Sequence, residues 1–380
     1  MSLAEALELR ARCDYRGALA VLVDASEPDA LVARSRLHED FGRYEEARSD
    51  AEQSGDRIRL AGVALAERRP HDALALTETH LCVEHGAALE ELARLDEAEA
   101  VYRALPEDEA LVRLGRGSVL RARGEYERAE RELLQGLRLA EQGFGAWSIE
   151  TASALNALGV TYKYWGRFDE GRRVYERALE ILVRGFGEEH PDVATIQHNL
   201  GGLEHARRDF EAAEPHARRS VELRRRLLGE EHLSTAEDEA AWAPILHALG
   251  RDDEAETLLR HALPILEREL GPDHPEVAGA WNNLGSTLAD LEEAAVAYRR
   301  AFEAKEQSLG PKHPSLAITL NNLAVNARRR GALDEAEGLY RRALAILEGR
   351  VEPDHPNLEL TRRNLGRLLE ERKKTADPAV

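Results

Sequence analysis

Two cysteines, five lysines and an aromatic content of only 5% are all that this 380-residue chain carries of three usually informative residue classes. Cys13 and Cys82 belong to no CxxC or other metal-ligand spacing, which points to small apolar contacts and away from a disulfide framework or a cysteine metal site. Scarce aromatics, 32% charged residues and a mean hydropathy of -0.49 argue against one thick core. Thin helical layers burying Ala and Leu against their neighbours tolerate that composition, so a single elongated helical body is expected. No apolar run approaches the roughly 18 residues that span a bilayer, and the opening MSLAEALELRAR lacks the apolar segment of a signal peptide. The expected location is cytoplasmic. The near-exclusive use of arginine for positive charge fits a GC-rich, bacterial coding sequence.

Net charge is -19, from 71 acidic against 52 basic residues, which disfavours nucleic acid and anionic membrane as partners of the surface as a whole. GxSxG, HExxH, P-loop and GxGxxG patterns are all missing, and nothing pairs a nucleophile with a base. The expectation is a protein that is not an enzyme and takes no cofactor.

What the chain does have is a repeat. Histidines 190, 232, 274, 313 and 355 recur at spacings of 42, 42, 39 and 42, most of them followed by proline. A second marker runs in the same phase: FDEGRRVYERALEIL from Phe168, FEAAEPHARRSVEL from Phe210, DDEAETLLRHALPIL near Asp252, LEEAAVAYRRAFEA from Leu291 and LDEAEGLYRRALAIL from Leu333. Within a unit, Leu316, Leu320, Leu323 and Ala327 recur at helical spacing, Gly331 interrupts, and Ala336, Leu339, Tyr340, Ala343, Leu344 and Leu347 resume it. Each unit therefore reads as a helical hairpin, with His-Pro opening the first helix because proline is preorganised there and lacks an orphan N–H. Upstream, YRGALAVL, YEEARSDA, HDALALTE, LDEAEAVY and YERAEREL repeat the second-helix signature 25 to 31 residues apart. The expected division is residues 1–145 as shorter degenerate hairpins, 146–355 as five long units, 356–373 as a capping helix and 374–380 as a disordered tail.

The stretch TLNNLAVNARRRGALDEAEGLYRRALAILEGRVEPDHP, from Thr319 to Pro356, resembles the long tetratricopeptide repeats of kinesin light chains, and the likeness holds over five units from Trp147. The resemblance implies an all-α, right-handed superhelical solenoid of tandem hairpins whose first helices line a concave groove for peptide segments of partner proteins. It does not imply a kinesin motor as partner.

One slot on the first helices is rich in asparagine: Asn156, Asn199, Asn282 with Asn283, Asn321 with Asn322, and Asn364. Asparagine is a poor helix former, so its recurrence wants a reason. The family resemblance implies that these amides hydrogen-bond the backbone of a bound peptide; alternatively they bond a neighbouring helix and set register. Five neutral hydrogen bonds of about 1 kcal/mol each fall short of the roughly 8 kcal/mol of a micromolar complex, so other groove positions must supply specificity. Lys163, His205, Asn326, Arg328, Arg363 and Arg367 lie on or beside the same face, with Tyr164 and Arg329 as neighbours. The set is more basic than the chain, which predicts a locally positive groove toward the C-terminal end that selects an acidic peptide; the alternative is a solvated helix end at Arg328, Arg329 and Arg330 complementing the helix dipole. Between His232 and His274 the asparagines give way to Ala240 and Ala241, Trp242 follows, and Pro244 falls inside the helix. That unit either forms a pocket beside Trp242 or has drifted. Two function classes fit: an adaptor holding a partner's peptide, and a regulator whose shape changes when a peptide or small ligand binds.

Overall fold

In the computed structural model, residues 2–348 and 356–376 are described; His355 and residues 377–380 of the expected tail lie outside them. Among the described residues there are 21 helices and no strand. They group into two compact units, one ending at Asp209 and the other beginning at Phe210. No helix among them is long and apolar enough to cross a membrane.

Unit 1 is a run of antiparallel neighbours: α1 (Leu3–Ala11) with α2 (Tyr15–Val21), α3 (Pro28–Asp40) with α4 (Tyr44–Ser54), α5 (Arg57–Ala66) with α6 (Pro70–Thr77), and α7 (Val83–Glu91) with α8 (Leu95–Ala104). Then come α9 (Ala110–Ala122) with α10 (Tyr126–Phe144), α11 (Ile149–Trp165) with α12 (Phe168–Phe186), and α13 (Pro191–Arg207) packed on α12. Unit 2 opens with α14 (Phe210–Leu228), packed on α15 (Leu233–Ala248), which pairs with α16 (Asp252–Leu270). The pairs α17 (Pro275–Thr287) with α18 (Leu291–Leu309) and α19 (Leu316–Arg329) with α20 (Leu333–Leu347) follow, and α21 (Pro356–Ala376) lies against both α19 and α20.

Local chemistry sets the hairpin ends. Gly166, Gly250 and Gly331 take positive φ just after first helices, where only a residue without a Cβ avoids strain. Arginine directly after that glycine reaches back one hairpin: Arg167 to Glu130 at 2.9 Å and Arg251 to Glu214 at 3.2 Å. Each such half-exposed pair contributes little, but the offset recurs and keeps neighbouring hairpins in one register.

Packing depends on a small-against-large contact. Tyr102 lies between Gly86 and Gly115, Tyr175 lies on Gly159, and Tyr298 lies on Gly285. A Cβ at Gly115 or Gly159 would overlap the tyrosine ring, and one at Gly285 would stand 2.8 Å from it. Tyr102 and Tyr175 are almost fully buried, so the rings fill the space that the glycines leave and allow the two helices of a hairpin to approach closely.

Unit 1 also contacts itself over a long sequence separation. Phe186, at the end of α12, packs tilted against Tyr15 (centroids 4.6 Å apart), edge-on to Phe41 (5.4 Å) and stacked on His190 (4.6 Å). The Arg10 guanidinium binds both Asp40, at 3.1 Å, and Glu150, at 2.8 Å. The Ile149 amide donates to the Tyr15 hydroxyl at 3.0 Å, and the His190 Nε2–H donates to the Asp40 carbonyl at 2.5 Å.

Candidate peptide-binding face

The recurring histidines are helix caps. His190, His232 and His274 each accept the backbone N–H two residues on through Nδ1, at 3.1, 3.1 and 3.3 Å, and His313 accepts that of Ser315 at 3.2 Å. Each thereby satisfies one of the orphan donors at the start of a first helix. At His190 one neutral tautomer serves two bonds, Nδ1 accepting from Asp192 and Nε2–H donating to Asp40.

The asparagine slot is a ladder between successive first helices. Asn199 on α13 donates to Asn156 on α11 at 2.8 Å, Asn322 on α19 donates to Asn282 on α17 at 3.1 Å, and Asn364 on α21 donates to Asn321 on α19 at 3.0 Å. These bonds give poor helix formers a reason to sit mid-helix, since each ties one hairpin to the next. A primary amide has two donors and an acceptor, so every pair keeps polar capacity beyond the bond it makes. Asn283 is half-buried and makes no side-chain hydrogen bond among the described residues. Asn326 is buried and occupied: it donates to the Leu291 carbonyl and accepts from Arg330, both at 3.0 Å.

The basic positions divide by unit. In unit 2, Arg328 is bound by Glu371 at 3.2 Å, while Arg363 and Arg367 are exposed on α21. In unit 1, Lys163 and Tyr164 on α11, His205 on α13 and Arg121 on α9 come from three consecutive first helices. Lys163 Nζ stands 5.0 Å from the Tyr164 ring centroid and the Arg121 guanidinium 5.9 Å from it. Gly202 on α13 leaves room for the lysine, whose Nζ lies 3.6 Å from where a Cβ would be. Burial, and then the charge of Arg121, lowers the Lys163 pKa; burial, and then Lys163, lowers that of His205. Neither Arg121 nor Lys163 makes an ion pair among the described residues, and Glu90 on α7 is engaged by the Tyr102 hydroxyl at 2.6 Å. Tyr164 is 61% exposed beside them. The arrangement offers a desolvated lysine, a neighbouring guanidinium and an aromatic surface to an acceptor from outside. Arg121 escaped the reading of the sequence because α9 belongs to the short repeats, where no 42-residue phase marks the slot; its place on a first helix was the available signal.

A tetratricopeptide repeat model matches residues 108–182, 166–226, 192–243, 239–306 and 288–349, overlapping windows that together span well over half of the chain. The chain belongs to the tetratricopeptide repeat family. Its fold is the all-α solenoid of that family, and the solved structures similar to it include BtubC (BKLC) from P. vanneervenii, at 22% identity and a TM-score of 0.50 over 60% of this chain and 92% of that one. A chain of the APC/C hetero-tetramer Cut9-Hcn1 is similar over 97% of this chain and 67% of the other, at 16% identity and a TM-score of 0.67. Kinesin-light-chain-like repeats from Podospora anserina are similar at 23% identity and a TM-score of 0.46, over 51% of this chain and 93% of that one. No curated protein matches the chain in sequence. Tetratricopeptide repeats generally mediate protein–protein association.

Within this tetratricopeptide array, α15 is the departure. Trp242 is buried in the unit 2 core beside Leu246, Leu259 and Leu263, and Pro244 is accommodated in a helix that runs unbroken from Leu233 to Ala248. Just before the alanines that stand in the asparagine slot, α15 buries two acids. Asp238 binds Ser220 and faces Arg224 at 3.5 Å; Glu239, fully buried, binds Arg225 at 2.7 Å and His261 at 2.6 Å. The acids on α15 are thus matched by bases from α14 and α16, and the acidic pair in TAEDEAAW was the overlooked sign of them.

Proposed function

We propose that this protein is an interaction scaffold that holds an extended, acidic peptide segment of a partner protein on its first-helix face, anchored in unit 1 by Arg121, Lys163 and His205. The observation that carries this reading is the partly desolvated Lys163, which makes no ion pair among the described residues, with the Arg121 guanidinium and the exposed Tyr164 beside it. A carboxylate arriving there recovers the electrostatic cost of burying Lys163, and bonds to charged groups are worth about 1.5–3 kcal/mol each. The unspent capacity of Asn156 and Asn199 suits the main chain of such a segment. A second contact set in unit 2, Asn283, Asn282, Asn322, Asn364, Arg363 and Arg367, would read another stretch of the same partner. The overall charge of -19 restricts this preference to the local face and disfavours nucleic acid.

The test is affinity for acidic peptides, measured by fluorescence polarisation against Arg121→Glu with Lys163→Glu. Loss of tenfold or more, recovered for basic peptides, is the expected result; equal affinity of both proteins for the acidic set removes the reading. The second reading, a regulator whose shape changes on binding, draws support from the self-contact of unit 1, which gives the molecule something to open.

A further inference from the structure

Every hairpin has two edges, the turn inside the hairpin and the turn that leads to the next one. The self-contact of unit 1 joins unlike edges. Arg10, Tyr15, Asp40 and Phe41 flank the inner turns of the first two hairpins, whereas Ile149, Glu150, Phe186 and His190 flank the connecting turns before α11 and α13. The seam ties the start of unit 1 to residues 134 and 150 positions further along the chain.

We propose that the α1–α4 segment is a latch, docked on α11–α13 through Tyr15, Phe186 and the Arg10 clamp, which must open for a partner segment to reach the first-helix face of unit 1. The proposal rests on the reading of that face given above.

The seam is built weakly. Its apolar component is confined to the Phe186 ring against Tyr15, Phe41 and His190 and the Pro191 ring on Gly42, and a cleft of about 820 Å³ bordered by Arg16, Phe41, Arg43, Phe186 and His190 runs beside it. Its polar component is strained by charge count: Asp40 on α3 and Glu150 on α11 share Arg10 on α1, with Asp192 on α13 adding a further negative charge and the Tyr15 phenol and His190 ring close by. Burial, opposed by Arg10 and reinforced by Glu150, raises the Asp40 pKa to about 6. A carboxyl with a raised pKa in the closed state binds its proton more tightly there than in the open state, so the closed form gains from protonation and loses that gain as pH rises through about 6. The latch is therefore firmer at pH 5 than at pH 8.

Hydrogen exchange of the full-length chain tests this, because the Ile149 amide is the donor to Tyr15 and reports directly on the seam. Corrected for intrinsic rates, wild-type exchange at residues 145–152 is expected to be several-fold faster at pH 8 than at pH 5.5, and Asp40→Asn should abolish that difference. Phe186→Ala should raise exchange there at least tenfold while α9, α10 and unit 2 keep their protection. If Phe186→Ala deprotects α9 and α10 as well, or if residues 145–152 are as protected as α10 at both pH values, the seam is permanent core and the latch is wrong. Tyr15→Phe, which removes only the acceptor, must deprotect Ile149 in a folded protein, or the assigned bond is wrong. An acidic glutamate-rich peptide should associate faster with Phe186→Ala than with wild type; equal rates overturn the latch, whereas binding to neither protein overturns the reading of the face and leaves the exchange result standing.

Discussion

Helix α15 of unit 2 and helix α11 of unit 1 follow one hairpin plan but handle a charge inside it in opposite ways. On α15 of unit 2, Asp238 and Glu239 are buried and answered by Ser220, Arg224, Arg225 and His261 from the flanking helices. On α11 of unit 1, Lys163 is desolvated and answered by no acid among the described residues, with Arg121 adding repulsion. Paired buried charge is a structural commitment, since removing one member strands the others. Unpaired, partly buried charge is a standing cost that a ligand can remove. The difference separates a polar position that holds the array together from one available to a partner.

The largest effects should come where the two units are alike. Gly159→Val drives a side chain into Tyr175 and should destabilise unit 1 by about 3 kcal/mol, and Gly285→Val, with a looser contact to Tyr298, should cost unit 2 about 2 kcal/mol. Urea unfolding followed separately in each unit would show whether the order holds; a reversal would mean that hairpin packing differs between them. Next, Glu239→Ala leaves Arg225 and His261 without their shared acid. Both are about one-third exposed and can resolvate, so the expected loss is about 2 kcal/mol, below the 3–5 kcal/mol of a fully buried pair. Asn199→Leu removes one rung of the amide ladder and should cost about 1 kcal/mol, read as a lower urea midpoint.

The smallest effect should have the opposite sign. Lys163→Met is expected to leave unit 1 unchanged or stabilise it by up to about 0.5 kcal/mol, because it removes a desolvated cation that no acid among the described residues neutralises. The Lys163 pKa is lowered in the fold, so the wild-type penalty is present in full at pH 7 and is relieved as pH rises through the lowered value toward 10.5; the difference between variant and wild type should shrink over that window. Destabilisation by more than 1 kcal/mol would make Lys163 a structural residue and erase the contrast with α15.

Much of the architecture could be read from the residues before any coordinates. The 42-residue phase, the turn glycines and the capping histidines are signals that act within a few residues of one another, and each appears where the spacing placed it. The asparagine slot was legible as a slot, yet its bonding was not, because the amide that pairs with Asn156 lies on the next first helix, and sequence spacing does not say whether a side chain bonds a neighbour or a guest. Arg328 carried an expected groove charge that Glu371 occupies, a pairing between helices that no local pattern reveals.

Amphipathic periodicity and turn chemistry alone thus determined that this chain is a tandem array of helical hairpins, since each hairpin is stabilised by contacts with itself and its immediate neighbour. Tertiary structure decided which charges are answered and which are not, and it decided the seam. Tyr15 and Phe186 stand far apart in the chain with no shared period, and they meet because the small rotation at each hairpin accumulates until one edge of unit 1 reaches another.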